Sequence, residues 1–167
     1  MAVLLLFIAG SYLAPVKYST LKRIDGIQII DQATGKDEQL TNDLIADFLV
    51  QHLDQFGDKE FILNALIMFF NPDRGGFVVV AHEGMHIAGA VIINETGMDG
   101  YIPENILVYI AVDKAFRGQG LGKKLMSLTM ERARGSIALH VEPDNPARFL
   151  YQKLGFTNKY LEMRLQR

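Results

Sequence analysis

A chain of 167 residues, 49% hydrophobic and 22% charged, has the size and balance of one globular domain with a core of its own. Its formal net charge of −2 provides no broad basic field, so nucleic acid finds no electrostatic support here. The absence of cysteine excludes disulfides, thiolate catalysis and Cys-type metal sites, and it fits a cytoplasmic protein.

The first segment, "MAVLLLFIAG", is apolar but too short to span a bilayer. It matches the length of a signal-peptide core, yet Lys17, Lys22 and Arg23 follow it, on the wrong side for export. Residues 1–22 are therefore read as an N-terminal extension of unknown role, either an extra strand or helix packed on the domain or on the second subunit of a homodimer, or the product of a misassigned start. The domain itself is expected over 23–167.

"GIQIIDQAT" reads as a first strand. Leu40, Leu44, Ile45, Phe48, Leu49 and Leu53 then follow helical spacing, with Gly57 as a stop. "DKEFILNALIMFF" reads as a second helix, ended by Asn71-Pro72-Asp73. The stretch "VVVAHEGMHIAGAV" contains His82-Glu83-Gly84-Met85-His86, the H-E-x-x-H string of zinc proteases. That string holds zinc only on a helix, where residues four apart share a face. Here β-branched runs flank a short polar tip centred on Gly84, which is the pattern of a hairpin. No metal is expected there.

After the loop "ETGMDGYIPEN", the almost continuous apolar run Ile106 to Val112 indicates a strand buried on both faces. "DKAFRGQGLG" leads into a helix with Leu121, Leu125, Met126 and Leu128 on one side. "SIALHV" reads as a strand, "NPARFLYQKL" as a short helix, and "KYLEMRL" as a closing strand. The order is β-α-α-β-β-β-α-β-α-β, a mixed α/β single domain.

"RGQGLGKKL", Arg117 to Leu125, follows a buried strand and opens an amphipathic helix. Unpaired N–H groups and the helix dipole favour an anion there, and glycine lets the backbone come close to it. A P-loop would need Gly where Arg117 stands and Ser or Thr where Lys124 stands. A dinucleotide fold would need Gly at 123, which is Lys123, and an acidic residue closing the next strand, which "SIALH" lacks.

Arg117, Gly120 and Gly122 satisfy R-x-x-G-x-G. With "LHVEPDNPARFLYQKLGF" matching N-x-A-x-x-[LF]-Y-x-x-x-G-F through Asn145, Ala147, Leu150, Tyr151, Gly155 and Phe156, the chain resembles the GNAT superfamily of N-acetyltransferases. The resemblance covers about residues 26–167. It implies a GNAT-like fold with a splayed central sheet, and acetyl-CoA as co-substrate without a metal.

The resemblance further implies that the backbone N–H groups of Gly118, Gln119, Gly120, Leu121, Gly122 and Lys123 hold the CoA pyrophosphate, with Arg117 also a cofactor-binding residue. The main chain of Ile110, Ala111 and Val112 would pair with the pantetheine arm, with the Ile110 N–H as oxyanion donor. Asn145 would bond the cofactor, or else cap the following helix; its spacing to Tyr151 leaves Asp144 as an alternative. Tyr151 takes the place of the general acid that protonates the departing sulfur, against a reading as a packed core tyrosine. His140 is a candidate base, because imidazole accepts protons near neutral pH, with Glu142 and Glu104 in reserve. The reaction implied is direct acetyl transfer to a primary amine. The competing class is a non-catalytic acyl-CoA-binding module. Asp43, Asp47, Asp54, Asp58 and Glu60 on the helical pair suggest either a cationic acceptor or a solvated face.

Overall fold

The computed structural model describes residues 24–167, so the 1–22 extension lies outside the described residues. Strand β1 (Gly26–Asp31) ends where the Asp31 carboxylate accepts from the Ala33 and Thr34 N–H groups at 2.9 Å and turns the chain. Helix α1 (Asn42–His52) starts at Thr41, whose hydroxyl accepts from the Leu44 N–H at 3.2 Å. Such a cap is worth about 1 kcal/mol. A single 3-10 turn over 54–56 closes on Gly57, and α2 (Lys59–Met68) begins on the Asp58 side chain. The stop expected at Gly57 therefore ends this extra turn, while α1 itself finishes at His52.

Strands β2 (Gly76–Glu83), β3 (His86–Glu95), β4 (Asn105–Val112) and β5 (Ile137–Leu139) complete a five-stranded sheet in the order β1-β2-β3-β4-β5. The first three pairings are antiparallel and β4–β5 is parallel, as the intervening helix α3 (Leu121–Arg132) requires. Helix α4 (Arg148–Lys153) follows β5.

The sheet divides two cores. On one face Val78, Val80, Ala90 and Ile92 pack with Ile45, Leu49, Ile62 and Leu66 of α1 and α2. On the other, Phe77, Val79, Val91 and Ile93 pack with Leu121, Leu125 and Met126 of α3 and Tyr151 of α4. The continuous apolar runs seen in the sequence serve both faces at once. Leu125 is fully buried, and such burial is worth about 1.5–3 kcal/mol per side chain.

The expected closing strand does not form. Residues 157–167 carry no strand, and Leu161, Met163 and Leu165 stand 81–94% exposed. Their alternation marks a two-sided segment, but β5 is only three residues long and offers little edge to pair with. No helix among the described residues is long and apolar enough to cross a membrane.

Candidate active site

Strand β4 pairs with β5 only from Asn105 to Leu107. From Val108 to Val112 its outer edge has no strand beside it among the described residues, which is the splay that the resemblance implied. Two features set what this edge presents. Ile92 faces Tyr109 while Ile93 faces Leu107, so Val108 is the extra residue of a β-bulge. Val108 and Tyr109 consequently both turn toward the α1/α2 core, and Leu107, Ile110 and Val112 toward the α3/α4 core. Further along, the Asp113 N–H donates to Ala88 O at 2.9 Å. The alternation of an antiparallel ladder then directs the Ala111 backbone toward β3, and the backbones of Ile110 and Val112 outward. The Val112 carbonyl is taken by Arg117 Nε at 2.8 Å, and the N–H groups of Ile110 and Val112 on this edge have no strand partner among the described residues.

The edge runs into the Gly-rich turn. A 3-10 turn over 114–116 leads to Gly118 and Gly120 at φ 74° and 80°, values that favour glycine. A Cβ at either would meet nothing within 4 Å, so both open onto space a ligand can enter. The first helical bond runs from Lys124 N–H to Gly120 O. None of the N–H groups from Gly118 through Lys123 has an acceptor among the described residues. Together with the start of α3 they form an anion cradle. Gly122 lies under Leu150 and beside Val112, joining the cradle to α4 and β4. A hollow of about 220 Å³ opens between Ile24, Gln119, Gly120 and Lys124; neither Ile110 nor Tyr151 lines it, so it borders the Gly-rich turn.

Tyr151 is 6% exposed and packs in the same cluster as Ile110, Val112 and Leu121, its ring 5.9 Å from Phe156. Burial pushes its phenol up to about 12. Asn145 Oδ1 accepts from the Ala147 N–H at 2.9 Å, which organises the turn before α4, whose own cap is Ala147. Asp144 is exposed beside it.

The candidate bases fare differently. The strand ends at Leu139, so His140 lies just beyond it, with its side chain 61% exposed and Nε2 3.7 Å from Glu162. Glu142 is exposed in the following turn. Glu104 accepts from the Ser136 N–H at 2.6 Å and pins the start of β5. It stands most of a strand away from Ile110, about 20 Å at ~3.3 Å per residue, which removes it from the reserve.

Other expectations shift as well. Asp43 and Asp47 lie 3.6 and 2.6 Å from Lys59 Nζ, so much of the acidity on α1 is neutralised within the helical pair. His82 and His86 lie on opposite arms of a hairpin, as expected. His82 Nδ1 donates to Gly84 O at 2.9 Å, whereas His86 Nε2 donates to Asp113 Oδ2 at 2.8 Å. Sequence reasoning missed that second bond because its partners are far apart in the chain. It also missed His52, whose Nδ1 is buried without a partner near Asp113; burial lowers its pKa, and the Asp113 charge opposes that.

The sequence profile described as the acetyltransferase (GNAT) family matches residues 38–156, and the chain belongs to that family. Among characterised relatives, a 5-NmdU N-acetyltransferase of Pseudomonas phage PaMx11 is 38% identical over 87 residues, 51% of this chain and 59% of that protein. The match thus spans little more than half of that relative. An aminoglycoside N-acetyltransferase, AAC(6')-Iy, solved in complex with CoA, superposes with a TM-score of 0.61 at 16% identity, over 85% of this chain and 93% of its own. A structure described as a transcriptional regulator from Bacillus halodurans C-125 gives 0.61 at 20% identity, over 85% and 100%. At these identities the two structures share the fold.

Proposed function

We propose that this chain moves an acetyl group from acetyl-CoA to an amine by direct attack. The observation that carries the reading is the run of unpaired N–H groups from Gly118 through Lys123, placed at the end of an unpaired strand edge. The open space over Gly118 and Gly120 fits a pyrophosphate held by main chain alone. Acetyl-CoA, when bound, supplies an activated acyl group on a thioester.

The protein's share follows from its geometry. The free edge of β4 offers N–H groups of Ile110 and Val112 to an extended amide-bearing arm, and the Ile110 N–H is the donor for a developing oxyanion. Tyr151, in the same cluster as Ile110, holds its proton at every working pH because burial has raised it to about 12. Its Oη–H donates toward the leaving sulfur. The apolar surroundings penalise a bare thiolate as well, so donor and acceptor rise together. His140 or Glu142 takes the amine proton, directly or through water.

The acceptor is a primary amine. The relative's 5-NmdU makes that compound one acceptor to test beside polyamines, amino acids, aminoglycosides and peptide N-termini. Release of free CoA, measured across that panel, tests the proposal. Amine-stimulated release supports it. Tight acetyl-CoA binding with no turnover on any amine would instead make the chain an acyl-CoA-binding module.

A further inference from the structure

We infer that His86 is a positioning residue for acetyl-CoA binding, acting through Asp113 to fix the turn that leads into the cradle. The inference rests on the reading of Gly118 to Lys123 as the pyrophosphate site.

Asp113 is the first residue after β4; its carbonyl accepts from the Phe116 N–H at 2.8 Å, and three further bonds fasten it. Its N–H donates to Ala88 O at 2.9 Å, its Oδ1 accepts from the Ala115 N–H at 2.8 Å, and its Oδ2 accepts from His86 Nε2 at 2.8 Å. A carboxylate only accepts, so Nε2 carries the proton. The Asp113 side chain is 13% exposed. Burial pushes its pKa up, but the Ala115 and His86 hydrogen bonds and the neighbouring histidines outweigh that, and the carboxyl is held below its ordinary value. An anion buried to this degree depends on its donors. Without His86, Oδ2 loses its donor.

His86 also reaches the far end of the same turn. Its ring lies against Phe116, with centroids 5.9 Å apart and planes at 26°. Phe116 is 1% exposed and directly precedes Arg117, which closes back onto Val112 O. His86 thus holds the turn at Asp113 and at Phe116, and the cradle begins one residue after Arg117. A site made of main-chain N–H groups binds well only if their directions are set beforehand. The His86 side chain is 53% exposed, so its contribution is this bond and stacking rather than core volume. Besides His86, the charge of His52 of α1 reaches Asp113, and Lys114 and Arg117 lie close enough to act on His52. The side chain of His82, in the same hairpin, bonds the hairpin tip through Gly84 O and, among the described residues, no part of the Asp113 turn, so it serves as the internal control.

The test compares His86→Ala, His86→Gln and His82→Ala by calorimetric acetyl-CoA affinity, steady-state kinetics and thermal unfolding. His86→Ala should bind acetyl-CoA about tenfold more weakly, the scale of a lost charge-assisted bond, with kcat at saturating acetyl-CoA changed less than about twofold. His86→Gln, which restores an N–H donor, should recover most of the affinity, and His82→Ala should keep all of it. Should His86→Ala fail to fold, His86→Leu keeps the packing on Phe116 without a donor and makes the same comparison. Wild-type affinity in the donor-less variant, or an equal loss in His82→Ala, overturns the inference. Failure of the unaltered protein to bind acetyl-CoA removes the cradle reading and this inference with it; normal binding in the unaltered protein beside an unaffected His86→Ala removes only the inference.

Discussion

Arg132, in the last turn of α3, donates from Nη2 to Asp31 Oδ2 at the end of β1, 2.7 Å away, with its guanidinium 5.5 Å from the Phe77 ring centroid. The pair ties the helix that follows the cradle to the first strand of the sheet. Burial pushes Asp31 up, but the Thr34 and Ala33 N–H groups and Arg132 outweigh it, so its pKa lies below the ordinary 3.8. A lowered folded-state pKa means stability that is present above about pH 4 and lost as pH falls through the folded value. Arg132→Ala should cost about 1–2 kcal/mol at neutral pH, the lower part of the range for a charged bond because the guanidinium stays half in water. Urea denaturation at pH 7 and pH 3 checks this: the difference between the two proteins should shrink at the lower pH. An undiminished difference at pH 3 would locate the effect in packing on Phe77.

Gly120 separates backbone strain from charge at the cradle. Its φ of 80° makes any side chain costly, while the space beyond its Cβ is open. Gly120→Ala should lower stability by about 1–2 kcal/mol, with only a modest effect on acetyl-CoA affinity. Gly120→Asp adds a negative charge against the phosphates and should weaken binding tenfold or more, about 1.4 kcal/mol beyond the alanine variant. Equal affinities for the two variants, measured by calorimetry, would count against a pyrophosphate at this turn.

Tyr151→Phe keeps the ring packed on Phe156 and removes the proton. Loss of general acid catalysis typically costs ~10²–10⁴-fold, so kcat should fall by about that factor with acetyl-CoA affinity little changed. Because the phenol is pushed up to about 12, the unaltered enzyme should show no alkaline fall in rate from this residue below about pH 11. A full kcat in Tyr151→Phe would remove the residue from the chemistry.

His140 and Glu142 are the two candidates for taking the amine proton in the proposed transfer. Both sit in the exposed turn after β5, so alanine at either should leave the fold intact. The base should lose about 10²-fold or more in kcat/KM, and its neighbour little. Rates measured for His140→Ala and Glu142→Gln at matched pH decide between them; an unaffected rate in both would leave deprotonation of the amine to water or to another group.

The order of elements as far as α4 was legible in the chain because side-chain periodicity reports exposure directly. Ile106 to Val112 reads as doubly buried, and it is packed on both faces. The glycine-rich turn was legible for a related reason: its place between a buried strand and an amphipathic helix is a local pattern, and Gly118 and Gly120 adopt the positive φ that such a turn requires. Other features arise only when distant segments meet. The bulge at Val108 depends on the register between β3 and β4, and the free edge beyond Leu107 on how early β5 stops. The tail "KYLEMRL" has a strand's alternation yet forms none, because pairing needs an edge that β5 does not extend to it. The neutralisation of Asp43 and Asp47 by Lys59 requires two helices side by side. The partner of His86 also comes from a distant part of the chain: the H-E-x-x-H string told only of a hairpin, and it was the folding of β3 beside β4 that brought its second histidine to Asp113. Local sequence encodes conformation and exposure through short-range sterics, whereas hydrogen-bond partners across a sheet are chosen by register, which only the assembled structure decides.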